Sequence, residues 1–219
     1  MYLKNTYAFI AFKVIFVLIC GYGLLLHMGP GKWSSFNYYT VLSNAVCFLY
    51  FSASLVYNIR RLRAGKGVLT LRPRWEASVV FCITITFLIY HFILRPASFV
   101  MNDAGFFTVS NMIVHYIVPA MTLLDWLLFC PKGRLLRFDP LYWLLIPLFY
   151  FVFIIIRAPF AGNISGTDSP YPYDFMDIQA HGWGTVIGNI GWIALGMLVL
   201  AYVIYFIDLG LLRVSVRKK

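Results

Sequence analysis

The chain has 219 residues, of which 61% are hydrophobic and only 12% charged, and its mean hydropathy is +0.79. A soluble domain of this size carries roughly twice that charge fraction, which excludes an ordinary soluble globular protein. The formal net charge of +10 would point to nucleic acid in a soluble chain; here its placement along the sequence marks membrane topology, and no nucleic-acid partner is expected.

Apolar residues come in six blocks, at about 7–27, 38–57, 76–94, 107–129, 141–157 and 184–207. Each is close to the ~20 residues that cross ~30 Å of hydrocarbon as a helix. The expected fold is an all-α integral membrane bundle of six transmembrane helices, one domain spanning 1–219. The first block lacks a small-residue cleavage site and reads as a retained span rather than a signal peptide. Lys13, about one turn into it, is expected to snorkel to the nearer surface.

The second span opens with Thr40, and Ser43 and Asn44 follow on the same helical face. The 58–75 segment then carries Arg60, Arg61, Arg63, Lys66, Arg72 and Arg74. The third span ends with His91 and Arg95. The fourth, FTVSNMIVHYIVPAMTLLDWLLF, holds Asn111, His115, Pro119 and Asp125. An ionisable group at membrane depth is costly unless paired or hydrated, so this helix should sit at the centre of the bundle. Asp125 is expected near the polar boundary beside Lys132.

The 130–140 segment adds Lys132, Arg134 and Arg137. Arg157 closes the fifth span, and the RAPFAGNISGTDSPYPYDFMDIQAHGW segment follows, broken by Pro, Gly and Asp. Its Tyr171, Tyr173 and Phe175 suit a lid folded over a cavity. It also contains the Asn163-Ile164-Ser165 sequon. The sixth span carries Asn189 and a stripe of Gly184, Gly188, Gly191 and Gly196, which reads as a close-packing face. The head adds Lys4, and the tail adds Arg213, Arg217, Lys218 and Lys219; the alternate loops hold only Lys32, Arg95 and Arg157. Positive residues collect in cytoplasmic loops, so both termini and both basic loops are expected there. The basic loops are read as topology signals in preference to headgroup or nucleic-acid sites.

Cys20, Cys47, Cys82 and Cys130 form no C-x-x-C pair and read as buried thiols. The histidines lack metal-ligand spacing, and no cofactor motif is present. Thr40, Asn44, His91, Asn111, His115, Arg157 and Asn189 fall at similar depth near one end of five spans. Together they predict an intramembrane cavity roofed by the loop after the fifth span. A hydroxyl and an imidazole there could form a nucleophile–base pair, with Asn and Arg groups holding an oxyanion. The alternative is a carrier or lipid-binding protein using the same cavity without chemistry.

The stretches YYTVLSN (38–44), NMIVHYIVP (111–119) followed by DWLLF, and Arg157 with YPYDF (171–175) resemble the Pr6Pr membrane proteins. Those are similar in turn to the FAR-17a/AIG1-like family of androgen-induced proteins. The resemblance implies a threonine hydrolase of fatty acid esters of hydroxy fatty acids, with Thr40 as nucleophile and His115 as base. Ser43, Asn44, His91, Asn111, Arg157 and Asn189 would support or position a lipid-like substrate. The sequence departs from that pattern at Asp125, where relatives look to carry glutamate, and in its long loop after the fifth span.

Overall fold

The computed structural model describes residues 5–29, 33–96, 108–164 and 167–217. Lys4, Lys32, Phe107, Ser165 of the sequon, Lys218, Lys219 and the side chain of Arg217 lie outside the described residues. Six helices are long and apolar enough to cross a membrane, and no strand occurs among the described residues. They are α1 (Thr6–Met28), α2 (Tyr39–Arg63), α3 (Pro73–Leu94), α4 (Val109–Phe129), α5 (Asp139–Arg157) and α6 (Ile178–Arg217).

The helix ends follow local chemistry. Asn5 accepts from the Ala8 amide at 3.0 Å to cap α1. Gly29, at φ 63°, ends it in a conformation that disfavours a side chain. Pro73 opens α3, where its missing N–H costs nothing. Asp177 caps α6 by accepting from Gln179 and Ala180 at 2.8 and 3.0 Å. The helix α5 is interrupted at Leu144, because Pro147 has no amide hydrogen for the Trp143 carbonyl one turn back. Within α6, Gly182 at φ 72° breaks the helical path one turn from its start.

Successive helices run in alternating directions. The segments after α2 and α4 meet at the end of the bundle where α1 begins and α6 ends: Thr70 donates to the Phe129 carbonyl at 3.3 Å, and the Gly133 amide to Asp208 at 2.8 Å. We call this the termini end and its opposite the loop end. Two apolar cores fill the bundle. One joins α1, α2, α3 and α4 through Phe16, Cys47, Phe51, Ile83 and Val118. The other joins α3, α4, α5 and α6 through Phe81, Trp126, Trp143, Ile154 and Ile204. Helices α3 and α4 serve both cores, so the fourth span shares its central place with the third.

The structure corrects three expectations. Lys13 does not snorkel: it is fully buried and donates to both Asp125 carboxylate oxygens, at 3.0 and 2.9 Å. Asp125 is likewise buried, not placed at the polar boundary. Lys13 stands fourteen or more residues from the loop end of α1 and still one to two turns inside the termini end, and a partner on α4 outweighs the reach to water. Its ammonium also lies 4.6 Å from the ring centroids of Phe9 and Phe51. Glu76 of α3 faces the same pair and accepts from the Tyr50 hydroxyl at 3.0 Å. Lys132, from the loop, turns inward onto the Trp126 and Cys130 carbonyls. Burial holds its amine below the ordinary lysine range. Third, Gly184, Gly188, Gly191 and Gly196 meet nothing within 4 Å of an added Cβ. They face open space, because this half of α6 stands at the edge of the bundle. Helices do approach closely at Gly23, where a Cβ would fall 2.3 Å from Ile113 of α4.

Removing one partner of a buried ion pair strands the other charge and costs about 3–5 kcal/mol. Lys13→Met and Asp125→Asn are therefore each expected to lower stability by that order in detergent, read by thermal unfolding. The Lys13→Met/Asp125→Leu double variant is expected to unfold at a higher temperature than either single variant.

Candidate active site

Thr40 is the second residue of α2 and His115 lies one to two turns into α4, both at the loop end. Their side chains meet: Thr40 Oγ1 lies 3.2 Å from His115 Nε2, and both residues are buried. The other ring nitrogen fixes the sense of this contact. His115 Nδ1 lies 3.1 Å from the Asn111 carbonyl, which can only accept. Nδ1 therefore carries the hydrogen, the neutral ring keeps its lone pair on Nε2, and Thr40 donates to it.

The backbone beneath His115 is unusual. Residues Ile113–Ile117 form a π turn, in which the Val118 amide reaches back five residues to Ile113. Such turns recur at functional sites. In that register the Val114 carbonyl would be served by residue 119, but Pro119 has no hydrogen to give. Asn44 supplies it, donating Nδ2 to the Val114 carbonyl at 3.1 Å and to the Thr40 carbonyl at 2.8 Å. Asn44 thus ties the nucleophile's helix to the imidazole's helix, and both its amide hydrogens are engaged. Helix α3 contributes a second π turn, Tyr90–Leu94, and from it the Tyr90 ring stacks on His115 with centroids 3.7 Å apart.

From the other side comes the segment after α5. Tyr173 is buried and sets its hydroxyl beside the Thr40 hydroxyl. Burial pushes the Tyr173 phenol above its ordinary range, against the pull of Thr40, so it remains a donor. The same hydroxyl faces the backbone of Tyr39 and Thr40 at the start of α2. Thr40, His115 and the Asn111 carbonyl make a directed chain, with the Tyr173 hydroxyl beside its first member.

Thr40 and Tyr173 open on a cavity of about 220 Å³ between α2, α3, α5 and α6. Its walls are mostly apolar, including Ile89, Phe151, Met176 and Met197, with Thr86 and several tyrosines as the polar exceptions. Tyr173, Phe175 and Met176 supply one wall, so the segment after α5 does fold over the cavity. A second groove, lined by Phe92, Trp192 and Gly196, shares Ile85, Ile89, Ile193 and Met197 with it and leads out between α3 and α6.

The other expected residues serve elsewhere. Ser43 bonds Thr86 at 2.7 Å and the Thr40 carbonyl at 3.1 Å, fixing α2 on α3. His91 pairs with the Tyr116 hydroxyl at 3.1 Å, which also accepts from Arg95 at 3.4 Å. Arg157 donates to the Pro170 carbonyl at 2.8 Å and Asn189 to the Phe175 carbonyl at 3.3 Å, so both hold the loop. Asn111 acts on His115 through its backbone. The sequence reading missed His27, whose ring lies edge-on to His115 at 5.9 Å and whose Nδ1 is 2.9 Å from Ser110. It also missed Tyr90 and the contact of Tyr173 with Thr40. Comparison of the chain with protein-family models, curated proteins and solved structures returns no match.

The hydrogen-bond chain has a spectroscopic consequence. In ¹⁵N-histidine-labelled protein, His115 is expected to show a protonated Nδ1 and a bare Nε2 at neutral pH, assigned by loss of the signals in His115→Gln. The opposite tautomer would break the assigned direction of the Thr40 contact.

Proposed function

We propose that this chain is a multi-pass membrane hydrolase of lipid-like esters, with Thr40 as nucleophile and His115 as general base. The observation that carries the reading is the 3.2 Å contact of Thr40 Oγ1 with the unprotonated Nε2 of His115, at the wall of an apolar cavity. The resemblance of YYTVLSN and NMIVHYIVP to the Pr6Pr membrane proteins, themselves similar to the androgen-induced family, points the same way. The groove between α3 and α6 gives an acyl chain a path from the bilayer without crossing water.

The chemistry balances with these groups. As Thr40 Oγ1 attacks the ester carbonyl carbon, its proton passes to His115 Nε2, which the Asn111 carbonyl holds in the correct tautomer. The tetrahedral oxyanion takes a hydrogen bond from Tyr173. Asn44 does not fill that role, since both its amide hydrogens are spent on backbone carbonyls, and Arg157 is turned to the Pro170 carbonyl of the loop. Collapse expels the alkoxide, which leaves with the proton from Nε2, and the acyl group stays on Thr40. Water then gives a proton to Nε2 and attacks the acyl-threonine. The acid departs and Thr40 recovers its hydrogen.

The apolar lining also favours a second reading, in which the cavity holds a lipid chain and carries it without cleavage. A fluorophosphonate probe separates the two. The hydrolase reading expects labelling of the wild type that is lost in Thr40→Ala and falls at least ~10²-fold in rate in His115→Ala. Tyr173→Phe is expected to keep labelling but to lower ester turnover by about 10²-fold. Labelling that persists unchanged in Thr40→Ala excludes this nucleophile, and an unlabelled wild type that retains lipid favours the carrier.

A further inference from the structure

At the termini end, far from Thr40, a groove of about 910 Å³ lies between the segments that precede α3 and α5. Its lining combines cationic, aromatic and apolar side chains. At the water side stand Arg72, Arg74 and Arg134. Arg74 is bound bidentately by Asp139, with Nε contacts of 2.9 and 3.1 Å. Arg72 and Arg134 have no carboxylate partner among the described residues, so two guanidinium groups face the groove unneutralised. Next come Trp75 and Tyr142, which are 68% and 62% exposed. Exposed Trp and Tyr mark the level where headgroups meet hydrocarbon. Beyond them the lining becomes Ser78 and Ile146. Those residues are about 7 and 10 Å along their helices from Pro73 and Asp139, at 1.5 Å per residue. Along the helix axes the groove passes from Arg72 and Arg134, with Leu69 and Leu71 beside them, through Trp75 and Tyr142 to Ile146.

We propose that this groove binds an anionic glycerophospholipid from the leaflet at the termini end. The headgroup phosphate lies between Arg72 and Arg134, the glycerol region beside Trp75 and Tyr142, and one acyl chain along the Ser78 and Ile146 side. A free phosphate would use only the cationic part of the lining, and a zwitterionic lipid would bring its own headgroup cation up against the two arginines. The basic loops thus do more than orient the chain: two of their arginines have a defined ligand. Arg63, at the end of α2, and Lys66, just after it, lie near Arg72 in sequence but do not line the groove, which makes them an internal control.

The test is titration of the purified full chain in neutral detergent with dioctanoyl phosphatidylglycerol, dioctanoyl phosphatidylcholine or inorganic phosphate. Binding is read by tryptophan fluorescence and by the shift in unfolding temperature. The expected result is saturable binding of phosphatidylglycerol, one per chain, with the other two ligands much weaker. Arg72→Gln/Arg134→Gln is expected to weaken it about 30-fold, since each cation near the surface contributes about a factor of five. Arg63→Gln/Lys66→Gln should leave it unchanged. If the arginine double variant fails to fold, Ser78→Trp blocks the apolar half while keeping both arginines and should give a comparable loss. Equal binding of phosphatidylcholine overturns the charge recognition, and equal binding of phosphate overturns the lipid as ligand. Loss in Arg63→Gln/Lys66→Gln as large as in the groove variant reduces the effect to loop charge and overturns the site.

Discussion

The bundle depends on an ion pair held where no water can reach it. Lys13 of α1 and Asp125 of α4 are both buried, and Glu76 of α3 with Tyr50 of α2 complete the group. In hydrocarbon an unpaired charge is far costlier than a poorly packed methyl group, so the pairing of Lys13 with Asp125 ties the relative placement of these helices. That constraint acts at the termini end. It holds α1 against α4 along a line that continues through Gly23 and Ile113 to His27 and His115 at the loop end. The alignment of the candidate catalytic pair is thus fixed partly by electrostatics at the opposite side of the membrane.

Hydrogen bonding finishes what the ion pair begins. Asn44 binds the carbonyls of Thr40 and Val114 together, and it can do so because Pro119 leaves the second of these without a donor. The oxygen Oδ1 of Asn44 has no partner among the described residues, so this residue accepts one unmet acceptor to satisfy two backbone ones. The loop after α5 is held with similar economy: Arg157 and Asn189 each give a hydrogen to its backbone, and Ile164 is buried within it. Tyr173 then stands on a braced segment.

The six helices were legible because lipid-length apolar runs and basic loops are strong, redundant signals. Thr40 and His115 were legible for a related reason, since polar side chains in such runs are conspicuous by type. Their supporting roles were not. Asn111 was expected to support His115, but the contact runs through the Asn111 carbonyl, which no side-chain pattern reveals. The Lys13–Asp125 pair was hidden because depth was counted from helix ends, and a lysine one turn in can equally reach outward or inward. Tyr90 was hidden among fifteen tyrosines, and Tyr173 was expected as part of a lid over the cavity but not beside Thr40. The glycine stripe of α6 misled because spacing alone does not say which side of a helix meets another.

The π turn at Ile113–Ile117 makes the loop end of α4 intolerant of changes in chain length. It holds one more residue than an α turn would over the same rise. Deleting any single residue between Thr108 and Pro119 would let the helix tighten to ordinary winding and swing the preceding side chains by about 100°. Lipid-facing positions could absorb such a rotation, whereas an imidazole that must address Thr40 on one edge and its own backbone on the other could not. Spacing in this stretch is therefore as much a part of the site as the residues that occupy it.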